Sequence, residues 1–370
     1  MDDSAQYLPF DFPPIQVGNE QLATFNKVKG AYQRQAHYES KPKKCILCGQ
    51  PKTSFCNSHS IPQLCLRRIA VDGEVLSFSS AIGTNLLKER VGINQAGTFR
   101  IICNDCDNTY FKDYESPETW TSTPSQKVMG QIATKICLSE LARAREQIPQ
   151  LLHLGDDFDS EDFIERASVR NIDMKDDYRN LELAMRATEK RARVLKPILF
   201  ERLPYIAPIA FQIMVNPIAD CEGSLINDLL NPDPSYDIEP LYVCVFPMAM
   251  ETLVLVFRNR KATRYRMLES QLSCQEKSEA LQSILRMSIA YSDQIFFSPK
   301  IENVLKNSEG IASLARMNID SLVSSDQVMS MQSAKHRARS AGRERYAISR
   351  LPEIPHLFEP RYAIGAECDE

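Results

Sequence analysis

No stretch of this 370-residue chain approaches the roughly 18 consecutive apolar residues that a membrane-spanning helix requires. Its first residues, MDDSAQYLPFDFPP, also lack the basic start and apolar run of a secretory leader. A cytoplasmic location with no membrane partner is the expectation. There is no excess of positive charge either: the formal net charge is -4, so the whole molecule is no electrostatic sponge for phosphate backbones and any nucleic-acid contact must be local. Internal repeats and low-complexity segments are missing, and the single Trp120 and the tyrosines show no spacing of a base-stacking platform, which assigns them to packing. What remains is a composition of 43% hydrophobic and 25% charged residues, enough for two or three packed units without disulfides.

Along the chain, residues 1–40 form a proline-bearing arm, with a short helix expected between Gln21 and Gln35. Residues 41–120 hold clustered cysteines and short apolar runs, Gly73 to Phe78 and Gly97 to Ile102, that look like strands. A helical connector is expected over 121–200. Val128, Ile132, Ile136 and Leu141 mark one amphipathic helix closed by Pro149, and a charge-rich helical pattern from Ser160 to Lys196 follows an acidic break. Residues 201–330 read as a mixed α/β accessory unit, because IAPIAFQIMV and LYVCVFPMAMETLVLVF are β-favouring runs separated by NPDPSYD, with a helical pattern from Cys274 to Ala290 behind them. Residues 331–370 are a basic, proline-punctuated tail.

Eleven cysteines in a chain without an export signal favour metal ligands or buried thiols over disulfides. Cys45-Ile-Leu-Cys48, followed by Gly49, has the spacing at which two thiolates chelate one tetrahedral ion while glycine lets the backbone turn beneath the sulfurs. A second pair, Cys103-Asn-Asp-Cys106, follows after a long insert and can close a Cys₄ site that leaves no position for water. Such an ion is structural. Cys56 and Cys65 lie in the insert and either could replace a knuckle cysteine; without partners at chelating distance in sequence they read as buried thiols, as do Cys137, Cys221, Cys244, Cys274 and Cys368. On this evidence alone the four cysteines can be a bare staple of a small domain.

The insert carries the only histidine of the region, within Asn57-Ser58-His59-Ser60-Ile61-Pro62, and after Cys106 comes Asp107-Asn108-Thr109-Tyr110-Phe111-Lys112-Asp113-Tyr114-Glu115. This order of motifs resembles the zinc-stapled HNH endonucleases, also called ββα-metal or His-Me finger nucleases. It is closest to a bacterial branch with a CxxC pair, Ser-His-x-Ile-Pro, and a second CxxC running into Asp-Asn. The resemblance covers about a fifth of the chain. It implies a small ββα-metal module held by structural zinc, with catalytic residues His59, Asp107 and Asn108. His59 would be the general base, a task suited to an imidazole whose ordinary pKa lies near neutrality. Asp107 would be the principal ligand of a catalytic Mg²⁺ or Mn²⁺, helped by Asn108 or Glu115. Thr98 falls where an Asn usually pins the loop. Ser58 replaces an Asp that often serves as a second metal ligand, and no second histidine follows Cys106, so the ion would be weakly held without substrate.

Lys43, Lys44, Arg67, Arg68, Arg100 and Lys112 surround these motifs and could face phosphates, or simply solvent. The densest cationic run is Lys335, His336, Arg337, Arg339, Arg343, Arg345 and Arg350, read as an exposed tail. The expectation is therefore an α+β protein: an HNH-like zinc module, a helical connector, then a small mixed sheet with C-terminal helices. Its expected activity is metal-dependent hydrolysis of nucleic-acid phosphodiesters, DNA favoured, in bacterial anti-phage defence and with a protein partner of a defence complex in view. The competing expectation is a catalytically decayed zinc-stapled module serving in a larger complex; a DNA-reading regulator is the third, with no recognition helix to support it.

Overall fold

A computed structural model of the chain describes residues 19–78, 90–116, 119–120, 122–158, 161–189, 191–229, 235–319 and 346–365. Within these the protein is α+β. In chain order the elements are α1 (Asn19–Glu39), β1 (Ser58–His59), α2 (Gln63–Ile69), β2 (Glu74–Ser77), β3 (Val91–Gly92), β4 (Thr98–Phe99), α3 (Asn104–Tyr110), α4 (Gln126–Phe158), α5 (Glu161–Ala187), β5 (Leu195–Leu203), β6 (Ile209–Val215), β7 (Leu241–Pro247), β8 (Thr252–Asn259), α6 (Arg266–Cys274), α7 (Lys277–Tyr291), β9 (Phe296–Phe297), α8 (Glu302–Lys306) and α9 (Glu309–Ile319). The basic run from Lys335 to Arg345 lies outside the described residues.

The sheet is larger than the small mixed one expected. Seven strands run in the order β3-β2-β9-β6-β7-β8-β5, and every pairing is antiparallel. Two short strands at one end come from the cysteine-rich region, joined to the rest through β9, where Leu76 pairs with Phe297 and Phe297 with Ile209. The runs LYVCVF and TLVLVF are apolar at nearly every position because the sheet is covered on both faces. Val243, Val245, Val254 and Val256 pack with α6, α7 and α9, while the alternate residues Tyr242, Cys244, Phe246, Leu253, Leu255 and Phe257 pack under α4 and α2. The cysteine-rich region has no core of its own: Ile61, Leu66, Ile69 and Phe111 belong to that second layer.

The helical connector also differs from its sequence pattern. One helix, α4, continues through Pro149 and the acidic Gly155-Asp156-Asp157 to Phe158. Proline costs a backbone hydrogen bond in a helix interior, and packing offsets that loss: Leu151 and Leu154 of α4 meet Val28 and Tyr32 of α1 and Phe163 of α5. Helix α1 is correspondingly longer than the predicted Gln21–Gln35 segment and lies along α4, with His37 Nδ1 2.7 Å from Glu146 and Arg145 donating to the Ser40 carbonyl. Helices α4 and α5 form an antiparallel hairpin whose close approach is set by Gly130, where a Cβ would stand 2.8 Å from the Thr188 methyl and 2.9 Å from the Ala184 carbonyl. Near this tight end, α4 offers its buried side to the cysteine-rich region.

Candidate functional site

The two CxxC pairs meet. All four sulfurs of Cys45, Cys48, Cys103 and Cys106 lie within 4.8 Å of one another, the one such group of three or more potential ligand residues among the described residues. They can hold a structural metal such as zinc. The first turn folds as its sequence requires: Gly49 adopts φ 69°, its N–H bonds the Cys45 carbonyl at 2.8 Å, and Cys45 N–H bonds the Gln50 carbonyl at 3.0 Å. The second pair begins α3, with Cys103 as its N-cap residue and its N–H 3.3 Å from the Cys45 sulfur. Cys56 and Cys65 stand outside the cluster.

Strands β1 and β4 pair antiparallel, His59 opposite Thr98, and the chain runs from β4 through Cys103 into α3. The turn before β4 needs Gly97: it has φ 62°, and a Cβ there would lie 2.5 Å from the Ser60 hydroxyl and 2.8 Å from the Phe296 ring of β9. His59 Nε2 is 2.9 Å from the Ile93 carbonyl. A carbonyl only accepts, so Nε2 carries a hydrogen, and Nδ1 is the nitrogen left to present a lone pair in the neutral ring. The loop bearing Ile93 is pinned from several sides: Ile93 N–H donates to the Gly73 carbonyl, Asn57 Nδ2 to the Asn94 carbonyl, Gln63 Nε2 to Asn94 Oδ1, and Thr98 Oγ1 to the Gln95 carbonyl.

Beside the imidazole lies a pocket of about 220 Å³ lined by His59, Pro62, Gln63, Leu64, Asp107, Glu115 and Lys135. Asp107, from α3, is tightly engaged. One oxygen, Oδ1, accepts from Ser58 Oγ at 2.7 Å and from Lys135 Nζ at 2.6 Å; the other accepts from the Cys56 thiol at 3.2 Å. Burial opposes ionisation of Asp107, but the Lys135 charge and the three hydrogen bonds outweigh it and hold the carboxyl below its ordinary range. Burial first, and then the bond to Asp107, push the Cys56 thiol up to about 12, so it remains a protonated donor. Lys135 also stands 3.2 Å from Glu115 Oε1 and 4.0 Å from the centre of the Phe111 ring, with only 2% of its side chain exposed.

Of the residues expected in the site, His59 and Asp107 line the same pocket, whereas Asn108 is exposed and does not line it. Lys43, Lys44, Arg67, Arg68, Arg100 and Lys112 are all exposed; Arg67 bonds Gln63 and Arg100 bonds Asn57. Trp120 packs edge-on against Phe246, with its indole N–H on the Tyr114 carbonyl, as a packing residue should. Lys135 was missed. Its signal was a lysine within QIATKICL on the apolar face of α4, where every other side chain of the run is buried.

The chain matches no family model, no curated protein and no solved structure. Among the described residues no helix is long and apolar enough to cross a membrane.

Proposed function

We propose that the protein is an endonuclease of the HNH kind, hydrolysing phosphodiesters of nucleic acid, DNA by preference, as a cytoplasmic effector of bacterial anti-phage defence. The observation that carries this reading is the fixed imidazole: His59, held through Nε2 on the Ile93 carbonyl, lines the same pocket as Asp107, Glu115 and Lys135. Supporting it are a paired β1 and β4 leading into α3 with a Cys₄ staple at the joint, the order that the sequence resemblance implies. In this reading His59 Nδ1 takes the proton of the attacking water, and the pinned loop keeps the ring in the required tautomer.

Asp107 and Glu115 are hard oxygen donors of the kind that suits Mg²⁺ or Mn²⁺, and Glu115 meets Lys135 through its Oε1 oxygen. A divalent ion bound by them would supply charge stabilisation to the leaving oxygen. The exposed Lys43, Lys44, Arg67, Arg68, Arg100 and Lys112 would contact the phosphates on either side. A second reading, a decayed module with no hydrolytic activity, draws on one observation: Ser58 and Lys135 already occupy Asp107 Oδ1.

The deciding experiment is cleavage of plasmid and single-stranded DNA with Mg²⁺ or Mn²⁺, beside His59→Ala. The expected outcome is cutting in the wild type and a loss of about 10²–10⁴-fold in the variant, with zinc content and melting temperature unchanged. Equal, metal-indifferent background in both proteins favours the decayed module.

A further inference from the structure

We infer that Lys135 is a positioning residue that holds the Asp107 and Glu115 carboxylates side by side and makes divalent-ion capture at this pocket weak until a phosphodiester is present. The inference rests on the hydrolytic reading above and deepens it.

Two carboxylates on a surface are commonplace. These two come from α3 and the turn after it, and both are gripped from beneath by one ammonium delivered from α4. Lys135 is not a surface side chain that happened to fold inward. Ile132, Ala133, Thr134, Ile136 and Leu138 around it are buried, and the Phe111 ring face covers its remaining side. A buried ammonium persists only where opposite charge meets it, and here it meets two.

The charge balance of the pocket floor follows. Two carboxylates and one ammonium leave a formal charge of minus one, where the carboxylates alone would present minus two. A divalent ion approaching the free protein is therefore attracted less strongly than two bare carboxylates would attract it, because a fixed positive charge stands beside its ligands. A phosphodiester entering beside His59 adds a negative charge and restores the stronger field. Ion and substrate then bind with mutual reinforcement, and by linkage each tightens the other by the same factor.

The test measures Mn²⁺ binding to the zinc-loaded full chain by electron paramagnetic resonance, with and without a non-hydrolysable phosphorothioate dinucleotide. Lys135→Met should bind Mn²⁺ about tenfold or more tightly than wild type in the absence of the dinucleotide. Lys135→Arg, which keeps the charge, should stay near wild type. The dinucleotide should tighten Mn²⁺ binding to the wild type by about tenfold. Equal affinities of wild type and Lys135→Met, or a wild-type affinity that the dinucleotide leaves unmoved, overturn the inference. If Lys135→Met fails to fold, Lys135→Gln, which removes the charge and keeps a polar end, takes its place with the same expected outcome. Normal cleavage with an unmoved Mn²⁺ pattern refutes the role of Lys135 and spares the nuclease; the expected Mn²⁺ pattern without His59-dependent cleavage refutes the nuclease and spares the role of Lys135.

Discussion

Replacing Asp177 by asparagine should stabilise the protein, and only above mildly acidic pH. Asp177 lies on α5, buried against α4; its Oδ2 makes no hydrogen bond, and Arg170 Nη1 stands 3.5 Å away. Burial, and then the nearby Glu140 charge, raise its carboxyl from the ordinary 3.8 to about 7, against the pull of Arg170. Between those two values the folded protein holds a proton that the unfolded chain releases, so stability falls as pH rises through the window and is lowest above pH 7. At about 1.36 kcal/mol per tenfold in ionisation, the cost reaches a ceiling of about 4 kcal/mol. The Asp177→Asn substitution would remove the charge, while Arg170 keeps Glu140 and Asp173 as partners. Allowing for an imperfect amide fit, the net gain should be about 1–3 kcal/mol at pH 8. Urea unfolding at pH 8 and at pH 4 provides the assay. A gain of the same size at both pH values, or a loss at pH 8, refutes the reasoning.

Gly97→Ala should destabilise the protein by about 2–4 kcal/mol, from a left-handed backbone and a Cβ driven into Ser60 and Phe296; a melting temperature within a degree of wild type contradicts this. Gly130→Ala should cost about 1–3 kcal/mol by forcing α4 from α5, visible as faster amide exchange at Ala184 and Ala187, and no change there refutes the contact. Cys106→Ser should abolish stoichiometric zinc and release α3, so that exchange protection is lost across residues 98–110 but kept in β7 and β8. Retention of one zinc per chain in that variant excludes Cys106 as a ligand.

The cysteine cluster was legible because chelation imposes a local spacing, and two CxxC pairs need only be brought together. Motif order singled out His59 and Asp107, and both line one pocket. The strands β6, β7 and β8 showed as β-favouring runs, but the pairing that joins them through β9 to β2 and β3 did not. A strand of two residues such as Phe296-Phe297 has no periodicity to see, and its identity comes from the pairing with Leu76 and Ile209. Pro149 misled for the converse reason, because a local breaker was overruled by α1 packing on α4. Lys135 was hidden by distance, since nothing near residue 135 announces a carboxylate on α3.

The pairing of β2 with β9 also bears on the order in which the chain becomes competent. During synthesis the cysteine-rich segment, whose four sulfurs could hold a metal such as zinc, emerges early. Phe297, which covers an edge of β2, and Phe296, whose ring backs the Gly97 turn, arrive only after the long helices and four central strands have left the ribosome. Interrupted translation would therefore leave an open sheet edge on β2 and a loosely backed pairing of β1 with β4. The residues that line the pocket thus emerge well before the strand that backs the Gly97 turn beside it.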